Sequence, residues 1–467
     1  MLYMFHASRW QTSAVGDLAM LGSAVSRWTM LHFGVALAFF LLAQLSMVAG
    51  ASFPAASLSA PMTLAIVHLL TIGWLTVLML GALHQFIPVI TAQGKVAGTS
   101  ALVSLILMLI GLGAMQAGLV ALDGRLPPAA LAALPVGGIL VLIGVAIAAA
   151  SLLRTLWQAR PLPFPARFVA AGLTFLFAAL GMGISLGLGF SFPQWISWSG
   201  ARADVLRLHL VAGLIGWFTL IAMGVSYRLL SMFTLAPEDR GPLGNAVLVL
   251  SAGGVAMTWL LGIAAVGGAP LSGAVVPIAA AATGLGVALY LVDMVRLYRA
   301  RRRHKLELNT SMALPALAAL ALSLVFAAYL CVQGVTEAAI GALGYLFLFG
   351  WLSGLGLSQL YKIVPFLTWL ERYGSVLGKQ VVPRVQDLVD ERRDRPWFVL
   401  YFAAVAAGTL LVALDWRALW PIAGLGQFVA TLMIVRALWL VRHGMPRSSQ
   451  KAAPADLAIP ARPPFAT

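Results

Sequence analysis

Four of the chain's seven histidines fall inside apolar runs: His32, His68, His84 and His209. Neutral imidazole binds copper, zinc and haem iron, and an ionisable group inside a membrane is costly enough to be a default candidate for function. Two of these histidines share a setting. One copy of a recurring phrase reads His68-Leu-Leu-Thr-Ile-Gly73-Trp74 and continues to Gly81, His84 and Pro88; a second runs from His209 through Gly216-Trp217 to Gly224 and Tyr227. A third runs from Tyr345 through Gly350-Trp351 to Tyr361 and Pro365. With the Gly-Trp pairs in register, His84, Tyr227 and Tyr361 form one column and Pro88 and Pro365 another. The copies lie roughly 140 residues apart, a period that points to repeated membrane units.

The elements that must position these residues follow from composition. Hydrophobic residues make up 61% of the chain and charged residues 10%, too few charges to cover a soluble domain of 467 residues. Apolar stretches of bilayer length predict an all-α polytopic membrane protein with twelve spans: 29–50, 62–90, 97–120, 131–153, 166–190, 204–233, 243–265, 271–297, 311–332, 335–368, 396–414 and 418–441. Spans two, six and ten are the longest and carry the three copies, so the expected architecture is three pseudo-symmetric four-helix units, about 29–153, 166–297 and 311–441. Residues 1–28 read as a cytoplasmic amphipathic lead-in without a cleavage site, and the Pro- and Ala-rich 446–467 as a disordered cytoplasmic tail beyond a transmembrane domain of 29–445.

The formal charge of +15 sits in alternate short loops, including 154–167, 299–305 and 372–395, while 51–61, 266–270 and 333–336 hold no Lys or Arg. This is the positive-inside bias of a membrane protein, which argues against nucleic acid as a partner. It places both termini in the cytoplasm, in what reads as a bacterial inner membrane. The partners expected are the lipid bilayer and a redox partner or another membrane subunit.

Each polar group inside a span also has a plain structural reading. His32 reads as a snorkelling or capping residue, His84 as hydrogen-bonded to a neighbouring helix, and His6, His304 and His443 as solvated. His68 and His84, 16 residues apart on one helix, are separated by about 24 Å of rise and cannot share a metal. His68 and His209 could meet across helices, although they sit five and seven residues before their glycines, an offset of about 200°. Asp204 and Arg207 read as a surface ion pair, and Asp293 as the partner of nearby arginines. No carboxylate pair lies in mid-membrane, which argues against a proton pump, and the single Cys331 excludes an internal disulfide.

Twelve spans, cytoplasmic termini and a histidine near the outer end of span two resemble the catalytic subunit of the haem–copper oxidase superfamily, which includes the nitric oxide reductase large subunit. His68…Gly81-Ala…Phe86-Ile-Pro88 resembles the segment that supplies an axial ligand to the low-spin haem, and His209-Leu-Val-Ala-Gly213 the segment whose histidine helps hold the active-site metal. The span-ten positions that carry His-x-His in the superfamily are Leu343-Gly-Tyr345 here, and 243–265 lacks the expected His-His pair. The resemblance therefore implies a divergent relative, similar in architecture to the nitric-oxide-response proteins called NnrS, without a complete oxygen or nitric oxide reductase site. It implies haem b held by His68 with either Tyr345 or His209 opposite, and a role in electron transfer or nitric oxide response. The alternative is a haem-free transporter or metalloenzyme-assembly protein, handling copper through His209 and the methionines Met62, Met79 and Met223.

Overall fold

A computed structural model describes residues 27–91, 98–194, 200–238, 240–270, 274–377 and 380–444. The expected tail and all but the last two residues of the expected lead-in lie outside them. Within them, twelve helices are long and apolar enough to cross a membrane: α1 (Arg27–Val48), α2 (Pro61–Thr91), α3 (Thr99–Leu122), α4 (Pro128–Gln158), α5 (Phe164–Ser191), α6 (Arg202–Thr234), α7 (Gly241–Val266), α8 (Val275–Arg299), α9 (Leu308–Gln333), α10 (Glu337–Val376), α11 (Glu391–Ala413) and α12 (Arg417–His443). Their ends fall within a few residues of the apolar runs, except that α10 runs on past 368 to Val376. Helix α1 starts at Arg27, inside the expected lead-in. The chain is all-α and an integral membrane protein.

Helices α2, α6 and α10 are the most enclosed and form the centre of the bundle. Large side chains such as Val249, Leu260, Ile278 and Val325 stand exposed on α7, α8 and α9, as lipid-facing surfaces require. Neighbouring helices close on small residues. A Cβ on Gly111 of α3 would lie 2.7 Å from the Gly137 carbonyl of α4, and one on Gly286 of α8 would lie 2.5 Å from the Ser251 backbone of α7. With lipid as apolar as leucine, such backbone approach is a main source of helix association.

The three copies of the phrase fold alike. Each switches from α- to π-helix just before its Gly-Trp pair, over Leu69–Thr76, Val211–Thr219 and Leu346–Ser353. A π-turn widens the helix and shifts every later side chain around the axis. Hydroxyls take up carbonyls in the widened turns: Thr76 donates to Thr71 (2.8 Å), Thr219 to Leu214 (2.9 Å) and Tyr401 of α11 to Phe349 (2.8 Å). Trp74, Trp217 and Trp351 are fully buried at the axis. The indole of Trp74 donates to Ser353 (2.9 Å) and that of Trp217 to Thr76 (3.2 Å). Each acceptor stands two residues after the tryptophan of its own helix. The matching bond from Trp351 to Thr219 is not made; the Trp351 Nε1 has no partner, and the Tyr290 ring of α8 packs edge-on against it (centroids 6.3 Å apart). Other tryptophans do sit at helix ends in exposed positions, among them Trp157, Trp416 and Trp439.

Candidate cofactor site

His68 and His209 come together. Both lie about two turns inside the starts of α2 and α6, just ahead of the π-segments, and their ring centroids are 6.4 Å apart with 29° between planes. The offset between them is what the contact register demands. Trp217 meets the residue two places after Trp74, so a position on α6 faces the position two later on α2. His209, eight before Trp217, therefore faces the residue six before Trp74, which is His68. Equivalent positions of α2 and α6 do not face each other; positions two apart do. The 200° offset does not keep the two rings apart, because α2 and α6 meet two residues out of register.

Both rings are fixed in one tautomer. The Nδ1 of His68 is 2.7 Å from the Leu64 carbonyl, and that of His209 is 2.8 Å from the Ala179 carbonyl of α5. A carbonyl can only accept, so each Nδ1 carries the proton and each Nε2 offers a lone pair. Both side chains are half-buried. The α5 wall beside His209 carries glycines: Gly181 stands exposed and Gly183 lies directly against the ring. A Cβ on Gly181 would meet nothing within 4 Å, and one on Gly183 would meet only the imidazole of His209, at 3.0 Å. Two imidazole lone pairs on rings this close can serve as ligands to one metal centre.

Tyr345 is elsewhere. It is 3% exposed, packs on Phe349 and Trp420 (centroids 4.8 and 5.8 Å), and donates its hydroxyl to Gln427 of α12. It stands six residues before Trp351, the same place His68 holds before Trp74, so it faces α11 and α12 rather than His68. Its partner network continues through Thr431, which donates to Gln44 of α1 (3.2 Å).

His32 and His84 do not match their sequence readings. His32 is 1% exposed and bonded through Nδ1 to the Trp28 carbonyl (2.8 Å), so it neither snorkels nor caps. His84 is 5% exposed and bonded to Leu80 of its own helix (2.6 Å), not to a neighbour. The two rings lie 6.0 Å apart at the opposite end of α2 from His68. Asp204 and Arg207 do form an exposed ion pair. Asp293 is buried beside Tyr227, and Arg240 and Arg296 are the cations that act on it, as its sequence setting implied. Met223 is fully buried, whereas Met62 and Met79 are half-buried. Among the described residues no three of His, Cys, Asp and Glu gather closely enough to hold a metal ion, so any protein-only metal site here rests on a pair.

The pairing of His32 with His84 was beyond the sequence reading, because it depends on how α1 lies along α2. One signal was available. Gly81 stands seven after Trp74 as Gly224 stands seven after Trp217, marking a close helix approach in both copies. Comparison of the chain with known family models and with curated proteins returns no match.

Proposed function

We propose that the chain is a haem-binding integral membrane protein whose b-type haem is held by His68 and His209, acting in electron transfer or nitric oxide response. The observation that carries this reading is the 6.4 Å juxtaposition of two imidazoles, each with its Nδ1–H tied to a carbonyl. That separation is compatible with both imidazoles binding one metal at about 2.0–2.1 Å. The donor set fits iron: neutral imidazole on both sides, oriented by backbone acceptors that raise its basicity. Tyr345 is set aside as an axial ligand because its hydroxyl is already engaged by Gln427.

Haem bound there would supply a one-electron couple. The chain's own work is to hold both Nε2 atoms in place, to keep the protons on Nδ1 and to limit water at half-buried rings. A haem held by both imidazoles would be suited to electron transfer, and delivery of electrons would call for a redox partner. We read the bundle as three pseudo-symmetric four-helix units with both termini in the cytoplasm, supported by the recurring π-turn and tryptophan register and by the basic loops.

The test is a visible spectrum and pyridine haemochrome assay on detergent-purified protein from haem-replete cells. A b-type signal lost in both His68→Ala and His209→Ala supports the reading. A colourless wild-type protein moves the assignment to the haem-free transporter or assembly alternative.

A further inference from the structure

We propose that His32 and His84 form a second metal site, at the opposite end of α2, that takes a single cuprous ion between their two Nε2 atoms. Both rings are buried, and both Nδ1 atoms donate to carbonyls of their own helices, Trp28 and Leu80. Each ring is therefore neutral with its lone pair on Nε2. Both Nε2 atoms are buried and have no hydrogen-bond partner. Two acceptors cannot satisfy one another, and a buried unsatisfied acceptor costs about 1–3 kcal/mol. One cation shared by both lone pairs removes both costs at once.

Geometry narrows the cation. The ring centroids stand 6.0 Å apart with 47° between planes, a separation compatible with one ion bonded to both rings at about 2.0 Å. A Cβ on Gly81 of α2 would lie 2.5 Å from the His32 Cβ of α1, a helix approach that leaves little room for a macrocycle beside the pair. Zinc seeks four ligands and calcium or magnesium seeks oxygen, and no third His, Cys, Asp or Glu joins this pair. Two neutral imidazoles suit copper, and the monovalent state adds the least charge to a buried site.

The second copy of the phrase shows that packing alone does not call for histidine here. Phe168 and Tyr227 occupy the corresponding places, with rings 5.7 Å apart, and a Cβ on Gly224 would lie 2.6 Å from the Phe168 Cβ. The aromatic pair fills the same helix approach without a metal-binding atom in either ring.

The experiment is anaerobic titration of purified full-length protein with Cu(I) against a coloured competing chelator, with copper per chain read after desalting and coordination read by X-ray absorption. Wild type is expected to retain one cuprous ion per chain in a two-nitrogen shell, and His84→Gln none. The double variant His32→Phe with His84→Tyr copies the second phrase; it is expected to fold, elute as wild type and lose the ion. The double variant His68→Ala with His209→Ala is expected to keep it, which separates this site from the haem reading. Wild type that releases all copper to the chelator overturns the proposal, as does the Phe/Tyr variant binding as much copper as wild type.

Discussion

At the scale of single residues, the chain separates histidines that close a pair from a tyrosine that only occupies an equivalent place. Tyr345→Phe is expected to leave any Soret band unchanged while lowering stability by about 1–3 kcal/mol, because it strands the Gln427 carbonyl oxygen in the core. Absorbance and a thermal melt of the same preparation check both halves. On the proposed haem reading, His68→Ala should do the reverse, removing any Soret band with a modest stability change. The sequence singled out His68 and His209 because ionisable groups are rare in membrane spans. It could not choose between Tyr345 and His209, since equivalence along the chain says nothing about which positions face each other. The same blindness gave His32 and His84 to the interface and to a neighbouring helix, when each is tied to its own backbone and lies beside the other.

At the scale of helices, the twelve spans were legible because bilayer thickness translates directly into the length of an apolar run. The π-turns were not. A count at 100° per residue assumes one helical period throughout, and Leu69–Thr76 breaks it between His68 and His84. Glycine placement makes the packing testable. Gly216→Ala would set a Cβ 2.5 Å from Phe175 and is expected to destabilise the protein by about 1–3 kcal/mol, read by unfolding in detergent. Gly181→Ala, with nothing within 4 Å, is the matched control and should be neutral or slightly stabilising. Thr76→Val keeps the shape but removes the acceptor for Trp217; a cost of about 1–2 kcal/mol is expected in the same assay.

At the scale of the whole molecule, charge bias supplies an orientation that one native thiol can check. Cys331 is exposed near the end of α9 that adjoins the Arg- and Lys-free 333–336 loop. A membrane-impermeant maleimide added to intact cells is expected to label it, and labelling only after lysis would reverse the orientation. The three central helices also differ in how they are tied. Helix α2 is latched by hydrogen bonds to both neighbours, through Thr76 to α6 and through Trp74 to α10. Between α6 and α10 the corresponding latch is missing, and Tyr290 stands in as a wedge, bonded to Ser226 (2.5 Å) and leaning on Trp351. In mechanical terms the bundle is a clasp with two locked joints and one that is only pressed shut. Thermal breathing should therefore open preferentially along the α6–α10 seam, where backbone amides will exchange with solvent deuterium sooner than those flanking α2.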